Sequence, residues 1–347
     1  MRIIKLVFCL FVATTAFSQE GQFSQYFASS LFLNPGYAGL ISTINLSTNY
    51  KRSDQAVDGS FHELYQVSFT YPLQKITSLK TQSGGVGITA SNEKVGIQGL
   101  YQTTKVMLNG SYVLPFDRLG TRKLSFGLQG GVVQNKLNYD DLRFGSQYNP
   151  YYGYDNILPS ESVDFSPNFF PVFNVGAIFS IVDHYNPILQ QNTMQVGLSI
   201  DYLNQPRYGF LVTESGKNLR RPMILKLVGT SKFGLSTRFF MHPSVLIITN
   251  QDNYQINIGD YFSTYLDSNL NTLLQIGAWY RVADSFIFLT GVQYKHINLG
   301  ISFDLNSKAI NQNEVIYQNS FQPSYEVSLS YTFDFSSGPI NVLNPLF

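Results

Sequence analysis

The sequence has one cysteine, few charged residues and no long apolar run. The single cysteine is Cys9, so the chain beyond its N-terminal segment can form neither a disulfide nor a thiolate metal site. Charged residues make up 13% of the chain, against about 25% in average soluble domains. Beyond the N-terminal segment no stretch reaches the roughly 18 consecutive apolar residues of a membrane-spanning helix. These absences exclude a disulfide scaffold and a helical membrane protein, and they disfavour an ordinary soluble domain.

The residue groupings of an active site or a cofactor site are also absent from the sequence. The four histidines lie on separate segments without metal-ligand spacing, at His62, His184, His242 and His296. No Gly-x-Ser-x-Gly nucleophile motif occurs, and Gly84-Gly85-Val86-Gly87 opens a predicted strand, whereas a dinucleotide-binding loop opens a helix. Acidic residues between 138 and 169 lack the regular spacing of a calcium loop, so a solvated loop is the better interpretation. We therefore predict no enzyme, no metal and no cofactor.

The N-terminus has the pattern of a secretory signal peptide. Arg2 and Lys5 precede an apolar run, and Ala16 and Ser18 provide small residues before a cleavage site. We predict that residues 1–18 are removed on export. The run is shorter than the roughly 20 residues of a membrane anchor, and Cys9 lies too early for a lipoprotein cysteine. Removing the two basic residues lowers Lys+Arg from 23 to 21 against 22 Asp+Glu, a net charge of −1 that gives no argument for nucleic acid.

The strongest positive signal is strict alternation near the end of the chain, from Tyr325 to Phe335. One face carries the apolar and aromatic residues Tyr325, Val327, Leu329, Tyr331, Phe333 and Phe335. The other face carries Glu326, Ser328, Ser330, Thr332 and Asp334. Successive side chains of a strand point to opposite faces. An apolar face ending in aromatics opposite a small polar face is typical of a strand between lipid and a polar lumen.

The same pattern recurs along the chain and predicts about 14 strands. They are Ile41–Tyr50, Glu63–Tyr71, Gly84–Ser91, Gly99–Leu114, Lys123–Leu137, Phe170–Ile181, Thr193–Tyr202, Met223–Lys232, Thr237–Ile248, Tyr254–Phe262, Asn271–Arg281, Asp284–Tyr294, His296–Asn306 and Tyr325–Phe335. An even number of such strands predicts an all-β fold, a transmembrane antiparallel β-barrel occupying residues 41–335. The three longest connections, 138–169, 203–222 and 307–324, all follow odd-numbered strands, as extracellular loops do when both termini are periplasmic.

Three segments lie outside the predicted strands. Residues 19–40 are too aromatic for a free tail, and we expect an ordered lead-in that packs against the periplasmic end of the barrel or partly inside it. The alternative is an ordinary first strand and turn. Residues 336–347 form a proline-containing tail, predicted to be periplasmic, because proline cannot donate to a strand ladder. The loop with Tyr148, Tyr151, Tyr152 and Tyr154 is either a contact surface or folded into the barrel mouth.

Several of these stretches together resemble the PorP/SprF family of type IX secretion system membrane proteins. The N-terminal signature is Gln22-Phe23-Ser24-Gln25-Tyr26 followed by Leu33-Asn34-Pro35-Gly36-Tyr37-Ala38-Gly39. The C-terminal half contributes Trp279-Tyr280-Arg281-Val282-Ala283-Asp284, Leu299-Gly300-Ile301-Ser302-Phe303-Asp304 and Ser324-Tyr325-Glu326-Val327, and His242-Pro243-Ser244 is similar to the central strand of the family. The chain departs from the family pattern at Gly36, Tyr325 and Asn344, where members carry alanine, histidine and cysteine.

The resemblance implies an outer-membrane protein of Bacteroidota that supports secretion, surface anchoring or gliding motility. Its implied partners are outer-membrane lipid, a secreted cargo or adhesin with a C-terminal signal domain, and periplasmic components of the same secretion system. The alternative function is an outer-membrane channel for small or hydrophobic solutes, and an outer-membrane hydrolase is a third and weaker hypothesis. We predict that the signature positions are structural and available for partner contact: Phe23, Ser24, Gln25, Tyr26, Asn34, Pro35, Tyr37, Gly39, Trp279, Arg281, Asp304 and Glu326.

Overall fold

The computed structural model describes residues 21–40, 43–54, 60–74, 82–117, 120–138, 145–149, 151–155, 168–182, 192–207, 220–250, 253–267, 269–306 and 323–333. The predicted signal peptide (1–18) and C-terminal tail (336–347) lie outside these residues. No helix in the described part of the chain is both long enough and apolar enough to span a membrane.

Fourteen strands form the main sheet, because the alternating segments pair with one another in chain order. They are β1 (Ile44–Asp54), β2 (Ser60–Gln74), β3 (Gln82–Ile97), β4 (Tyr101–Pro115), β5 (Arg122–Leu137), β6 (Asn168–Val182), β7 (Thr193–Asp201), β8 (Ile224–Gly234), β9 (Phe239–Met241 and Ser244–Thr249), β10 (Tyr254–Tyr265), β11 (Thr272–Arg281), β12 (Ser285–Tyr294), β13 (Ile297–Asn306) and β14 (Ser324–Phe333). Tyr148–Asn149 and Gly153–Tyr154 form a separate small hairpin, preceded by the 3₁₀ turn Gly145–Gln147.

The sheet closes into a barrel in which neighbouring strands are antiparallel. The last strand, β14, pairs with the first along a register that runs from Ile44↔Phe333 to Ser53↔Ser324. On the far side β7 pairs with β8, starting at Ile224↔Asp201. Closure leaves no unpaired sheet edge, which is the condition for a sheet to cross a bilayer. The predicted fold, a transmembrane antiparallel barrel of about 14 strands, is confirmed.

The two faces of the wall carry opposite residue classes, as the alternation predicts. Along β14, Leu329 is 43% exposed on the outside, whereas Glu326 is completely buried in the lumen. Three further inward residues of this strand, Ser324, Ser328 and Ser330, are also buried. Apolar side chains on the outside and polar side chains on the inside are the arrangement expected for a barrel surrounded by lipid.

The two ends of the barrel differ in the length of their connections. Three long connections, 138–167, 202–223 and 307–323, lie at one end, which we call the long-loop end. The opposite, short-turn end has connections as brief as residues 295–296, between β12 and β13. The start of β1 and the end of β14 also lie at the short-turn end. In outer-membrane barrels the short turns face the periplasm and the long loops face outward.

Residues 21–40 lie inside the lumen, and we call them the plug. They contain α1 (Ser30–Leu33) and the 3₁₀ helix Pro35–Gly39, and all of them are buried or half-buried. The plug runs along the barrel from Gly21, beside Glu93 near the long-loop end, to Gly39 at the short-turn end. The sequence predicts a lead-in that packs against the periplasmic end of the barrel or partly inside it, whereas the plug extends along most of the lumen. It contains no strand, unlike the alternative of a first strand and turn. Its aromatic side chains fill space that small polar wall residues leave open.

Two wall glycines allow the 3₁₀ helix of the plug to approach the sheet. A Cβ atom added to Gly127 on β5 would collide with the backbone of Pro35 and Gly36. A Cβ atom added to Gly85 on β3 would collide with the carbonyl group of Ala38. The absence of a side chain at these positions is therefore what lets the backbone of the plug lie directly against the wall.

Strand β9 is interrupted at His242 and Pro243, whereas the sequence predicts one continuous strand, Thr237–Ile248. Its pairing with β8 stops at Thr230↔Ser244 and resumes at Phe233↔Met241. Proline has no amide hydrogen, so an inner strand that contains it loses a ladder donor at that position. The amide of His242 still donates to the carbonyl oxygen of Tyr261 on β10, at 2.9 Å.

Candidate functional site

The N-terminal part of the plug is fixed to the wall by two buried carboxylates. The amide of Ser24 donates to Oε2 of Glu326 at 2.6 Å, and the amide of Gln25 donates to Oε1 of the same residue at 3.1 Å. The hydroxyl of Ser24 donates to Oδ2 of Asp304 at 2.6 Å. Asp304 lies on β13 and Glu326 on the neighbouring β14, both facing inward.

Two cations complete this cluster. Nζ of Lys51 on β1 lies 3.0 Å from Oδ2 of Asp304 and donates to Oγ of Ser24 at 2.6 Å. Arg281, at the end of β11, lies 3.5 Å from the same carboxylate oxygen and donates through Nη2 to Ser24 at 3.2 Å. We call Ser24, Gln25, Lys51, Arg281, Asp304 and Glu326 the latch. Arg281 also pairs with Asp284, at 3.0 Å. Because most of the latch charges are buried and compensate one another, removal of one partner would leave the others less well compensated, at a cost of about 3–5 kcal/mol.

Gln25 adds a neutral part to the latch. Its Nε2 donates to Oγ of Ser302 and to the carbonyl oxygen of Glu326, both at 3.2 Å. Its Oε1 accepts a hydrogen bond of 2.6 Å from Ser328. The side chain is therefore satisfied at both ends although it is almost completely buried. Since buried polar groups without partners are costly, this arrangement fixes the position of the plug relative to β13 and β14.

An aromatic cluster follows directly after the latch. The ring of Phe27 stacks on Tyr261 at 5.5 Å and on Trp279 at 5.6 Å between ring centres. The hydroxyl of Tyr26 donates to Ser244 at 2.6 Å, and Nε1 of Trp279 donates to the same hydroxyl at 2.9 Å. Aromatic pairs at such distances stabilise by about 0.5–1.5 kcal/mol beyond the area they bury.

The Asn34-Pro35 turn ties the second half of the plug to the opposite wall. Oδ1 of Asn34 accepts from the amide of Gly36 at 2.8 Å, and Pro35 begins the 3₁₀ helix. Nδ2 of Asn34 donates to the carbonyl oxygens of Ala177 and Leu198, at 3.3 and 3.0 Å. One asparagine therefore caps the helix and bonds to β6 and β7.

Side chains of the wall bind the carbonyl groups of the plug that its short helices leave free. Lys226 donates to Phe32 at 3.0 Å, and Ser199 donates to Leu33 at 3.0 Å. Ser125 donates to Gly36 at 2.7 Å. A helix end buried without such donors would be unstable. The polar inner face of the barrel thus serves as the hydrogen-bond partner of an internal segment.

The predicted signature positions fall in two groups along the plug and the wall. The structure brings together Ser24, Gln25, Tyr26, Trp279, Arg281, Asp304 and Glu326 around the latch and the aromatic cluster. Phe23, next to Ser24 in the chain, packs against Phe32 with ring centres 5.5 Å apart. It places Asn34, Pro35, Tyr37 and Gly39 toward the short-turn end. All of them are buried. A partner that approaches either mouth therefore does not meet these side chains directly, and their part in partner contact stays a prediction.

The predicted signature positions do not include Lys51, Phe27, Tyr261 and Ser244, which complete the two clusters. For Lys51 a signal exists, because it continues the inward series Asn45, Ser47 and Asn49 of β1 with a charge. A charged side chain on a lumen-facing position indicates a counter-charge elsewhere in the lumen. Ser244 belongs to the His242-Pro243-Ser244 motif, but the motif gives no partner for its hydroxyl.

The tyrosine loop contributes exposed aromatic side chains. Tyr151 is 91% exposed and Tyr152 is 89% exposed, at the turn of the small hairpin. Of the two alternatives, a contact surface fits these tyrosines, and burial in the barrel mouth does not. Among the described residues no group of three or more His, Cys, Asp or Glu side chains is arranged to hold a metal.

Two pockets flank Phe32 on the long-loop side of the plug. One is lined by Ile224, Ile248 and Tyr254, and the other by Met107 and Val133. Lys226 lines both. The second pocket is also lined by polar and charged side chains, among them Lys105, whose Nζ donates to the hydroxyl of Tyr202 at 2.8 Å, and Asp201, which pairs with Lys226 at 2.6 Å.

The fold and the plug define the class of the protein. A closed antiparallel barrel with an apolar outer face, whose lumen contains a segment of its own chain, is a plugged membrane β-barrel of the outer-membrane type. The profile of the family described as "Type IX secretion system membrane protein PorP/SprF" matches residues 15–336, and the chain belongs to this family.

Comparison with solved structures adds distant barrels. A search of curated proteins finds no match. Among solved structures, a Pseudomonas aeruginosa FadL homologue is 13% identical with a TM-score of 0.48, covering 89% of this chain and 94% of its own. The Ralstonia pickettii toluene transporter TbuX is 8% identical with a TM-score of 0.47, covering 88% and 94%. At these identities and TM-scores no statement about this chain follows from them.

Proposed function

We propose that this protein is a non-enzymatic outer-membrane component of the type IX secretion system in a member of the Bacteroidota. In this proposal it supports secretion or surface anchoring of adhesins or other cargo that carry C-terminal signal domains, with a link to gliding motility. The observation that carries the proposal is the plug. The lumen is occupied by a segment of the same chain, so partner proteins can reach the barrel only at its two rims. We therefore infer that the protein acts by binding partners at these rims.

The two rims favour different partners. The long-loop end, which we assign to the cell surface, presents Tyr151 and Tyr152 as exposed aromatic side chains. Tyrosine supplies a large contact area at low entropic cost and is enriched in protein interfaces. We therefore assign cargo binding to this end. The short-turn end, together with the predicted tail at 336–347, is the side on which periplasmic components of the secretion system would bind.

The experiment is deletion of the gene followed by complementation. Cells with the gene deleted should lose specific surface proteins with C-terminal signal domains, as measured by surface proteomics, and the wild-type gene should restore them. A variant that carries both Tyr151→Ala and Tyr152→Ala should restore these surface proteins less well than the control variant Tyr294→Ala, which changes a lipid-facing tyrosine. Retention of every such surface protein in the deletion strain would contradict the proposal.

The alternative function, a channel for small or hydrophobic solutes, is disfavoured by the same observation. The plug crosses the lumen, and the charged wall residues of the latch compensate one another within the barrel. A conducting pore would need displacement of this segment. Ion conductance of the purified wild-type protein in planar bilayers separates the two functions. We expect no stable open pore if the protein is a binding component of the secretion system. A persistent open pore would support the channel.

A further inference from the structure

The outer face of the barrel changes from apolar to polar near the long-loop end of β1–β5. On β4 the outward side chains are apolar, aromatic or glycine from Val106 to Leu114, and on β5 the same holds from Leu124 to Val132. Each series has the length that a tilted strand needs to cross the hydrocarbon, about 9–11 residues. The next outward residues toward the long-loop end are polar or charged: Thr104 and Gln102 on β4, and Gln134 and Lys136 on β5. These positions therefore lie at the level of the lipid headgroups.

Three cations lie in one row of this polar part of the wall. The row crosses five neighbouring strands, and each member is the cross-strand partner of the next: Arg52, Glu63, Lys94, Gln102 and Lys136. We call these five residues the outer row. Residues directly opposite one another on antiparallel strands share a face of the sheet. At the same end of β7, β8 and β10–β13 the outward residues are instead apolar or aromatic: Ile200, Leu225, Tyr254, Tyr280, Phe286 and Phe303.

Three tyrosines mark the depth of the outer row in the membrane. The ring of Tyr50 lies 5.0 Å from that of Tyr65 and 6.1 Å from that of Tyr325, measured between ring centres. Tyr325 is also the cross-strand partner of Arg52. Aromatic residues form girdles at the membrane–water interfaces of such barrels. The outer row thus begins at the interface and faces headgroups, whereas the apolar series below it faces acyl chains.

A carboxylate on the outer face positions two of the cations. The side chain of Glu63 is 8% exposed, and it lies 3.8 Å from Arg52 and 4.0 Å from Lys94. It also accepts a hydrogen bond of 2.9 Å from the hydroxyl of Tyr50. Arg52 forms a second ion pair with Asp54, at 2.8 Å. The side chains of Arg52 and Lys94 are nevertheless 34% and 38% exposed, so both can be reached from the lipid side.

We propose that the outer row binds the anionic, phosphate-bearing headgroup of an outer-leaflet lipid. Lipid surrounds this face of a membrane barrel in any case, so the charge of the row decides which lipid is preferred. The described outward residues at this end of β1–β5 include three cations and two carboxylates, Asp54 and Glu63. This balance favours a headgroup with net negative charge, because the ammonium group of a zwitterionic lipid would meet like charge.

The chemistry of the row and its surroundings fits this ligand. Arginine and lysine are the usual phosphate-binding side chains of proteins, and a guanidinium offers five N–H donors. Long basic side chains at the end of a membrane span also reach toward the headgroups. The acyl chains of the same lipid lie on the apolar series that begins at Val106 and Val132. This lipid site does not depend on the proposed role in secretion.

The test compares two lipids that differ in headgroup charge. Native mass spectrometry of the purified barrel measures the binding of phosphatidylglycerol and of phosphatidylethanolamine with the same acyl chains. We expect the anionic lipid to bind at least about tenfold more tightly. Inorganic phosphate at the same concentration should not displace it, because phosphate lacks the acyl chains. Equal affinity for the two lipids, or displacement by inorganic phosphate, would overturn the proposal.

Substitutions then locate the binding site. A variant with Arg52→Gln, Lys94→Gln and Lys136→Gln should lose the preference for the anionic lipid, with about a fivefold lower affinity for each cation removed. The matched control removes three exposed cations at the short-turn end, through Arg122→Gln, Arg238→Gln and Lys295→Gln, and should keep the preference. Heat-modifiable migration on gels shows that each variant is a folded barrel. An equal loss in both variants would mean attraction by overall charge and would overturn the proposal.

Photo-crosslinking in intact cells distinguishes a lipid from a protein partner. A photoreactive amino acid replaces Gln102, inside the outer row, or Phe286, an outward residue at the same end of β12. We expect a larger share of anionic lipid among the adducts from position 102 than among those from position 286. Equal shares, a protein adduct in place of lipid at position 102, or no lipid adduct there would each overturn the proposal.

Discussion

The backbone amide of Ser24 donates a 2.6 Å hydrogen bond to Oε2 of Glu326, a residue 302 positions later in the chain. This bond joins the start of the plug to the last strand of the barrel. The same carboxylate accepts the amide of Gln25, and Lys51 lies opposite Glu326 in the register between β1 and β14. The strand that closes the barrel is thus also the strand that holds the plug.

Glu326→Ala should destabilise the protein strongly. The substitution removes the acceptor of two plug amides and leaves the latch cations with one fewer counter-charge, for which we expect a loss of about 3–5 kcal/mol in the free energy of unfolding. The measurement is denaturant unfolding in detergent or lipid. Glu326→Gln is the control, because it retains one acceptor oxygen and should lose less. Equal stability of the alanine variant and the wild type would show that the latch is not formed.

Gly127→Val should displace the plug without breaking the barrel. A valine side chain on the inner face of β5 would occupy the space of Pro35 and Gly36, so we expect ion conductance in planar bilayers where the wild type gives none. Gly110→Val on β4 is the matched control, since a Cβ atom added there meets nothing within 4 Å. The same conductance from both variants would contradict close packing of the plug on β5.

The fluorescence of Trp279 should report on the plug. It is the only tryptophan of the chain, it is 2% exposed, and Phe27 of the plug stacks on it. Phe27→Ala should shift its emission to longer wavelength, because water gains access to the indole, and should cost about 3–5 kcal/mol in stability. Phe288→Ala on the outer face is the control and should leave the emission unchanged. An unshifted spectrum in Phe27→Ala would show that the ring is covered by something else.

A turn at the short-turn end gives a prediction on pH. The hydroxyl of Thr121 donates to Asp117, and amides of the same turn donate as well, so the pKa of this carboxyl lies below its ordinary value of 3.8. A lowered pKa in the folded state gives stability that is present above the unfolded value and is lost as pH falls through the folded value. Asp117→Asn should therefore be less stable than the wild type at neutral pH, and the difference should vanish in acid. A difference that persists unchanged below the folded pKa would contradict this assignment.

The barrel was predictable from the sequence because its signal is local. Side chains alternate within each strand, so β14 was predicted at Tyr325–Phe335 and is found at Ser324–Phe333. The break in β9 was not predicted, since its alternation continues across Pro243 and only the missing amide hydrogen interrupts pairing.

The position of the plug was not predictable in the same way. Aromatic residues such as Phe23 and Tyr26 indicate order, but no periodicity says what they pack against. Ser24 bonds to Lys51 on the nearby strand β1. Its other partners lie on β11, β13 and β14, hundreds of residues later in the chain. The resemblance to a family indicated latch residues in the plug and in the C-terminal strands. It did not indicate that these residues contact one another, which follows from closure of the barrel.

Hydrogen–deuterium exchange of the plug tests the central claim most directly. The measurement compares peptides that cover residues 21–40 with peptides from β14 and from the turn at 295–296, in the wild-type protein in lipid. We predict that the amides of Ser24 and Gln25 exchange as slowly as those of β14, because both donate to a buried carboxylate. Exchange of these two amides as fast as that of the exposed turn would contradict a plug held inside the barrel.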